Sequence, residues 1–160
     1  MLARIFAVSE TLVLAVWIGG LAGFAFVFAP IAFRVVTDLD RFATITGRSI
    51  LALTQLGYVC GAIAIVAALV RSGTSGSSRT LAAARVGLIA VALGLSAYDA
   101  NAILPEMQAA SAAFGVPFND VPKSDPRRVA YDAMHQKSSR VYGAALRAAA
   151  AALALAAADR

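Results

Sequence analysis

The 160-residue chain is 60% hydrophobic and 14% charged, against ~45–50% and ~25% in ordinary soluble domains, and a water-soluble globule of this length cannot hide that much apolar surface. Its net charge of +5 comes from basic residues scattered at the ends of apolar runs, which suits anionic lipid headgroups and not a phosphate-tracking stripe. Disorder, a disulfide scaffold and a nucleic-acid module are thereby excluded as descriptions of the whole, and the expected partner is the lipid bilayer.

The first apolar run is uncharged from Thr11 to Phe33, more than the ~20 residues that cross a bilayer. A single Arg4 precedes it, Glu10 interrupts its start, and it is too long for a signal-peptide core, so a retained span is expected and not a cleaved leader. Pro30 is expected to kink or loosen its last turns. The second run is uncharged from Ser49 to Val70, and its helix should start near Thr37-Asp38-Leu39-Asp40, which reads as a capping box with Asp in place of Glu. A helix from Asp38 to Arg71 is ~50 Å long and projects beyond one membrane face. The polar, acid-free stretch Ser72–Ser78 reads as a flexible linker.

A third helix is predicted over 80–104, ending at Pro105, with Arg85 and Asp99 at its limits either snorkelling or paired. Residues 105–125 read as the polar connection, with a surface helix over Glu106–Phe114 admissible inside it. Asp125-Pro126 is a strong helix start, Asp as N-cap and Pro at the first helical position, and the fourth helix runs over 126–158. The predicted fold is a single all-α domain over residues 1–160, an integral membrane four-helix antiparallel bundle with helices at about 3–36, 38–71, 80–104 and 126–158.

Small residues four apart predict close helix packing: Gly19 and Gly23 in the first span, Gly57 and Gly61 in the second. Trp17 lies mid-span and is expected to pack the core. Cys60, inside an apolar run, reads as a small buried residue. The short linker carrying Arg71, Arg79 and Arg85 without an acid favours cytoplasmic termini in a bacterial inner membrane, although the opposite side holds more basic residues.

Polar groups inside a membrane bundle are costly and mark function. Asp132, His135, Ser139 and Tyr142 fall on one face of the fourth helix, and Asp99, Asn101 and Glu106 approach the same end from the third, so a polar vestibule is expected around Asp99, Asn101, Asp132, His135 and Ser139. Three uses compete: interhelical hydrogen bonding alone; passage of an ion or small solute, with Asp99 and His135 protonatable; or a copper-like metal held by His135, Glu106 and Met107, with Asp132 and Met134 nearby. A lone histidine excludes a bis-histidine haem and a di-iron bundle held by this chain. No nucleophile–base spacing, phosphate loop or zinc motif is present, so no catalytic residue is assigned and an enzyme is not expected; no cofactor is inferred. Arg147 lies about 16 Å inside the fourth span and should pair with Glu10 or Asp99, stack on Trp17, face a partner or snorkel. Glu10 has Arg85 as a second possible partner.

Trp17-Ile-Gly19-Gly20 with Ala29-Pro30-Ile-Ala-Phe33, then Asn101-Ala-Ile-Leu-Pro105 and His135-x-x-Ser138, resemble the transmembrane protein 205-like family. That resemblance implies a small four-helix membrane protein of unknown function over nearly the whole chain. Tyr142-Gly143 departs from the polar Asn expected after the His-x-x-Ser motif. The Trp-x-Gly-Gly helix is also loosely similar to copper-resistance D-type membrane proteins. The function expected is association through transmembrane helices, as an accessory or structural subunit of a membrane complex or as a homo-oligomer; the alternative is a transporter or metal-handling protein of a solute, ion or metal.

Overall fold

The computed structural model describes residues 2–74 and 78–159. Within them the chain forms α1 (Leu2–Gly23), α2 (Ala29–Val35), α3 (Leu39–Thr74), α4 (Arg79–Tyr98), α5 (Leu104–Ala112) and α6 (Pro126–Ala158). A π-helical turn, Phe24–Phe28, joins α1 to α2 without a break, and a second, Asp99–Ile103, joins α4 to α5. The described residues thus make four helices long and apolar enough to cross a membrane, Arg4–Val35, Leu39–Gly73, Arg79–Ala112 and Pro126–Ala158. The protein is an all-α, four-helix membrane bundle. Each span is about 50 Å long at 1.5 Å per residue, against ~30 Å of hydrocarbon, so the helices project into the aqueous phase. Of the linker expected at 72–78, residues 75–77 lie outside the described residues.

The spans form a closed ring: α1 packs on α3, α3 on α4, α4 on α6, and α6 back on α1. Leu14, Trp17 and Leu21 of α1 meet Cys60 and Ala64 of α3, Ile89 and Ala92 of α4, and Ala149, Ala152 and Ala156 of α6. The inward face of α6 is alanine at every three or four residues, which brings its backbone close to its neighbours. The outer surface is apolar instead: Leu12, Val16, Phe26, Val59, Val66 and Val91 are each more than half exposed, as a surface solvated by lipid requires.

Each π turn ends two residues before a proline. Ala29 donates its backbone N–H to the Phe24 carbonyl before Pro30, and Leu104 donates to the Asp99 carbonyl before Pro105. A proline supplies no N–H and its ring crowds the carbonyl four residues back; widening the turn by one residue lets the helix continue past it. The third helix therefore does not end at Pro105. It runs on to Ala112, through the stretch where a helix over Glu106–Phe114 was admissible, and the polar connection is 113–125 and not 105–125.

That connection is ordered. Phe114, Phe118 and Val121 form a small second core with Leu39 and Tyr131. Asp40 accepts from the Phe118 N–H at 3.0 Å, and Asn119 both accepts from Leu39 N and donates to the Thr37 carbonyl. The Arg128 guanidinium lies 4.2 Å from the Phe118 ring centre and donates to the Phe118 and Val121 carbonyls. Helix α3 is capped by Asp38 and not Thr37: its carboxylate accepts from Asp40 N and Arg41 N, leaving the Thr37 carbonyl to Asn119. Asp125 caps α6, accepting from Arg127 N at 2.8 Å.

The glycine pairs divide. A Cβ on Gly57 would meet the Trp17 indole at 2.6 Å, and one on Gly61 would meet Leu93 at 2.8 Å, so this pair receives large side chains from α1 and α4. Gly19 and Gly23 have nothing within 4 Å of a Cβ. The buried face of α1 runs through Glu10, Leu14, Trp17 and Leu21, and Gly19 lies about 200° around the helix from Trp17. The first two spans do pack closely, through Trp17 on Gly57 and Gly20 against Leu53, but Gly19 and Gly23 take no part in that contact.

Candidate functional site

Two clusters of buried polar residues sit at different heights in the bundle. The first lies at the end carrying the chain termini. Glu10 is fully buried; Arg71 Nη1 lies 2.5 Å from its Oε2, and Arg85 Nε lies 3.5 Å from its Oε1. Arg85 Nη1 also reaches Asp159 Oδ2 at 2.8 Å, and Arg71 donates to the Asp159 backbone carbonyl. Among the described residues two acids thus face two guanidiniums in a network linking α1, α3, α4 and the end of α6. Burying such charges is tolerated only because each has a partner.

The second cluster is built on the π turn after α4. Asp99 is 1% exposed, and neither carboxylate oxygen has a hydrogen-bond partner among the described residues. Its polar neighbours come from α6. The Ser138 hydroxyl approaches it without making a hydrogen bond of normal geometry, and His135 and Tyr142 lie within electrostatic range. Tyr142 is fixed from the other side: its hydroxyl donates to the Leu21 carbonyl at 2.9 Å, and its ring centre lies 5.7 Å from that of Phe24 in the first π turn. Both widened turns therefore converge on Tyr142, one placing Phe24 and the other placing Asp99. An unpaired carboxyl inside a membrane helix, on an irregular turn, is the strongest functional signal in the molecule.

The other residues expected in the vestibule are exposed. Asp132, His135 and Ser139 are exposed on α6, and Asn101 is exposed, its amide donating to the Ala97 carbonyl at 2.8 Å. Met107 is buried, whereas Glu106 and His135 are exposed. Among the described residues no group of three or more His, Cys, Asp or Glu side chains is placed to hold a metal ion.

Arg147 is exposed on α6, with its guanidinium folded back toward Gly143. It pairs with neither Glu10 nor Asp99: Glu10 is taken by Arg71 and Arg85, and Trp17 packs on Gly57. The core face of α6 runs through Ala145, Ala149 and Ala152, and Arg147 lies about 200° from Ala145, which turns it outward.

Sequence reasoning marked Glu10, Arg85 and Asp99 as needing partners but missed Arg71 and Asp159 as members of the first network. The missing signal was depth: all four charges lie near span ends on one side of the bundle, two of each sign. Ser138 entered only through the His-x-x-Ser likeness, and Phe24 not at all.

A family model described as a domain of unknown function, DUF4149, matches residues 12–113. The match takes in the first three spans, including Glu10's partners Arg71 and Arg85, both π turns and Asp99. No curated protein and no solved structure matches the chain. The likeness to the transmembrane protein 205-like family rests on the quoted motifs alone.

Proposed function

The chain belongs to the DUF4149 family of unknown function, and we propose that it works by associating with other transmembrane helices, as a homo-oligomer or as an accessory subunit of a membrane complex, without catalysing a reaction. The observation that carries this reading is the division of the two glycine pairs. Gly57 and Gly61 are consumed inside the bundle by Trp17 and Leu93, while Gly19 and Gly23 leave a groove open to the outside. Small residues four apart let a second helix backbone approach closely, and packing of that kind drives helix association where lipid removes the hydrophobic incentive. The exposed Arg147 adds to it, since a guanidinium this far along an apolar span is costly against lipid and gains from a polar partner.

Orientation in the membrane is part of the proposal. On the termini side Arg71 and Arg85 are buried in ion pairs, leaving Arg4 and Arg79 exposed among the described residues. The opposite face carries exposed Arg34, Arg41, Arg48, Lys123, Arg127, Lys137 and Arg140. The preference for Lys and Arg in cytoplasmic segments then places residues 113–125 inside and the termini outside, the reverse of the sequence-based expectation, in a bacterial inner membrane.

Association is tested by native mass spectrometry of the gently extracted protein and of Gly19→Leu/Gly23→Leu. The double variant is expected to keep the thermal stability of the wild-type protomer and to lose its partner or its second copy. Gly57→Ala is the contrasting control, with a protomer destabilised by about 1–3 kcal/mol through overpacking against Trp17. A wild-type protein recovered only as a monomer, without co-purifying subunits, removes the proposal.

A further inference from the structure

The association reading makes no use of Asp99, and the buried carboxyl has no evident structural purpose. Its oxygens make no hydrogen bond of normal geometry, the Ser138 hydroxyl being the one that approaches them, and no cation is paired with it. It is not neutralised as Glu10 is, because the guanidiniums of Arg71 and Arg85 are engaged at the other end of the bundle. In apolar surroundings an unpaired carboxylate is relieved by a proton or a cation. A cation needs several oxygen ligands converging on one point. The side chains that bring an oxygen to bear on Asp99 are Ser138 and Tyr142, and the Tyr142 hydroxyl is already directed at the Leu21 carbonyl. A proton needs only the carboxyl itself.

We propose that Asp99 is a proton-binding site inside the membrane, taking up and releasing a proton on the side of the bundle where His135 meets water. The geometry supplies both halves of such a site. The π turn holds Asp99 in the interior between α4 and α6, and His135, exposed on α6, is its titratable neighbour toward the aqueous phase. Tyr142 is the other titratable group acting on it from α6, and no charged group of α3, which also touches this turn, acts on it among the described residues. Only an O–H bond forms or breaks: the proton is taken from hydronium at the rim and returned to water there. The site stands independently of helix association, since neither Gly19 nor Gly23 belongs to it.

A lipophilic carbodiimide tests this on the wild-type protein in detergent or in liposomes, because it adds to protonated carboxyls in apolar surroundings and not to carboxylates. Peptide mass mapping after exposure to dicyclohexylcarbodiimide is expected to find Asp99 modified at neutral pH, with modification falling as the pH is raised, and Glu10 spared by its ion pairs. Asp99→Asn is expected to abolish incorporation. An unmodified Asp99 at every pH, or equal modification of Glu10 and Asp99, overturns the proposal. Modification that does not decline in alkali overturns proton release. Protection by sodium or potassium chloride at constant ionic strength overturns it in favour of a cation site. The mapping uses the native chain, so the outcome does not depend on whether Asp99→Asn folds.

Discussion

Glu10 and Asp99 are both fully buried acids on membrane-spanning helices, yet their surroundings differ in every respect that matters to a charge. Glu10 faces two guanidiniums, one at 2.5 Å, and those are in turn bound to Asp159. Asp99 faces a serine hydroxyl outside normal hydrogen-bond geometry and an exposed histidine, with no cation paired to it. The first arrangement fastens four helices at one end. The second leaves a polar group uncompensated, and a fold that neutralises one buried acid so thoroughly has the means to neutralise another. The contrast separates charges that hold a membrane bundle together from one that is kept available.

Breaking the compensated side is expected to have the largest effect. Arg85→Ala leaves Glu10 with a single cation and Asp159 with fewer donors, and stranding part of a buried ion network costs about 3–5 kcal/mol. Unfolding in mixed micelles by increasing anionic detergent would show it. Arg85→Met combined with Glu10→Met is expected to recover a large part of that loss, because removing both partners strands less charge than removing one. Equal losses in the single and double variants would mean that the network contributes little through pairing.

On the uncompensated side the sign is opposite. Asp99→Leu exchanges an unsatisfied buried polar group for an apolar one, and the protein is expected to become more stable by up to about 1–3 kcal/mol in the same unfolding assay. A destabilisation like that of Arg85→Ala would show that Asp99 has a structural partner after all, and would erase the contrast with Glu10.

The smallest effect sharpens the comparison with a charge in water. Asp125, at the start of α6, is held below the usual carboxylate range mainly by the side-chain hydrogen bond from Arg127, with the Arg127 backbone N–H adding to it. A carboxyl depressed on folding contributes stability that is fully present above its ordinary value near ~4 and is lost as the pH falls through the lower, folded one. The melting temperature of Asp125→Ala should therefore lie slightly below wild type at neutral pH, and the two curves should converge in acid. A gap that persists at low pH would assign the effect to something other than the charged cap.

Much of this was legible in the chain itself. The cap at Asp125-Pro126 is local, since the carboxylate reaches an N–H two residues away, and sequence adjacency guarantees that reach. The proline at 105 misled, because a helix can absorb a missing N–H by widening one turn, and nothing local to Asn101-Ala-Ile-Leu-Pro105 states whether the continuation beyond it finds packing. Met107, buried against its neighbours at the far side of that proline, is part of what rewards the continuation. The loop at 113–125 was equally opaque: its order depends on Asp40 and Asn119, about 80 residues apart in sequence.

The sequence by itself determined that this protein lives in a membrane and how many times it crosses, because the length of an uncharged run against the thickness of hydrocarbon is a property of each segment alone. It also determined that Glu10, Arg85 and Asp99 lie where charge is costly. Only the tertiary structure decided which of them is satisfied. That outcome depends on the rotation and height of each helix against its neighbours, which Trp17 seated on Gly57 and the alanine face of α6 set together, and a turn of about 100° per residue is enough to exchange a partnered acid for a solitary one.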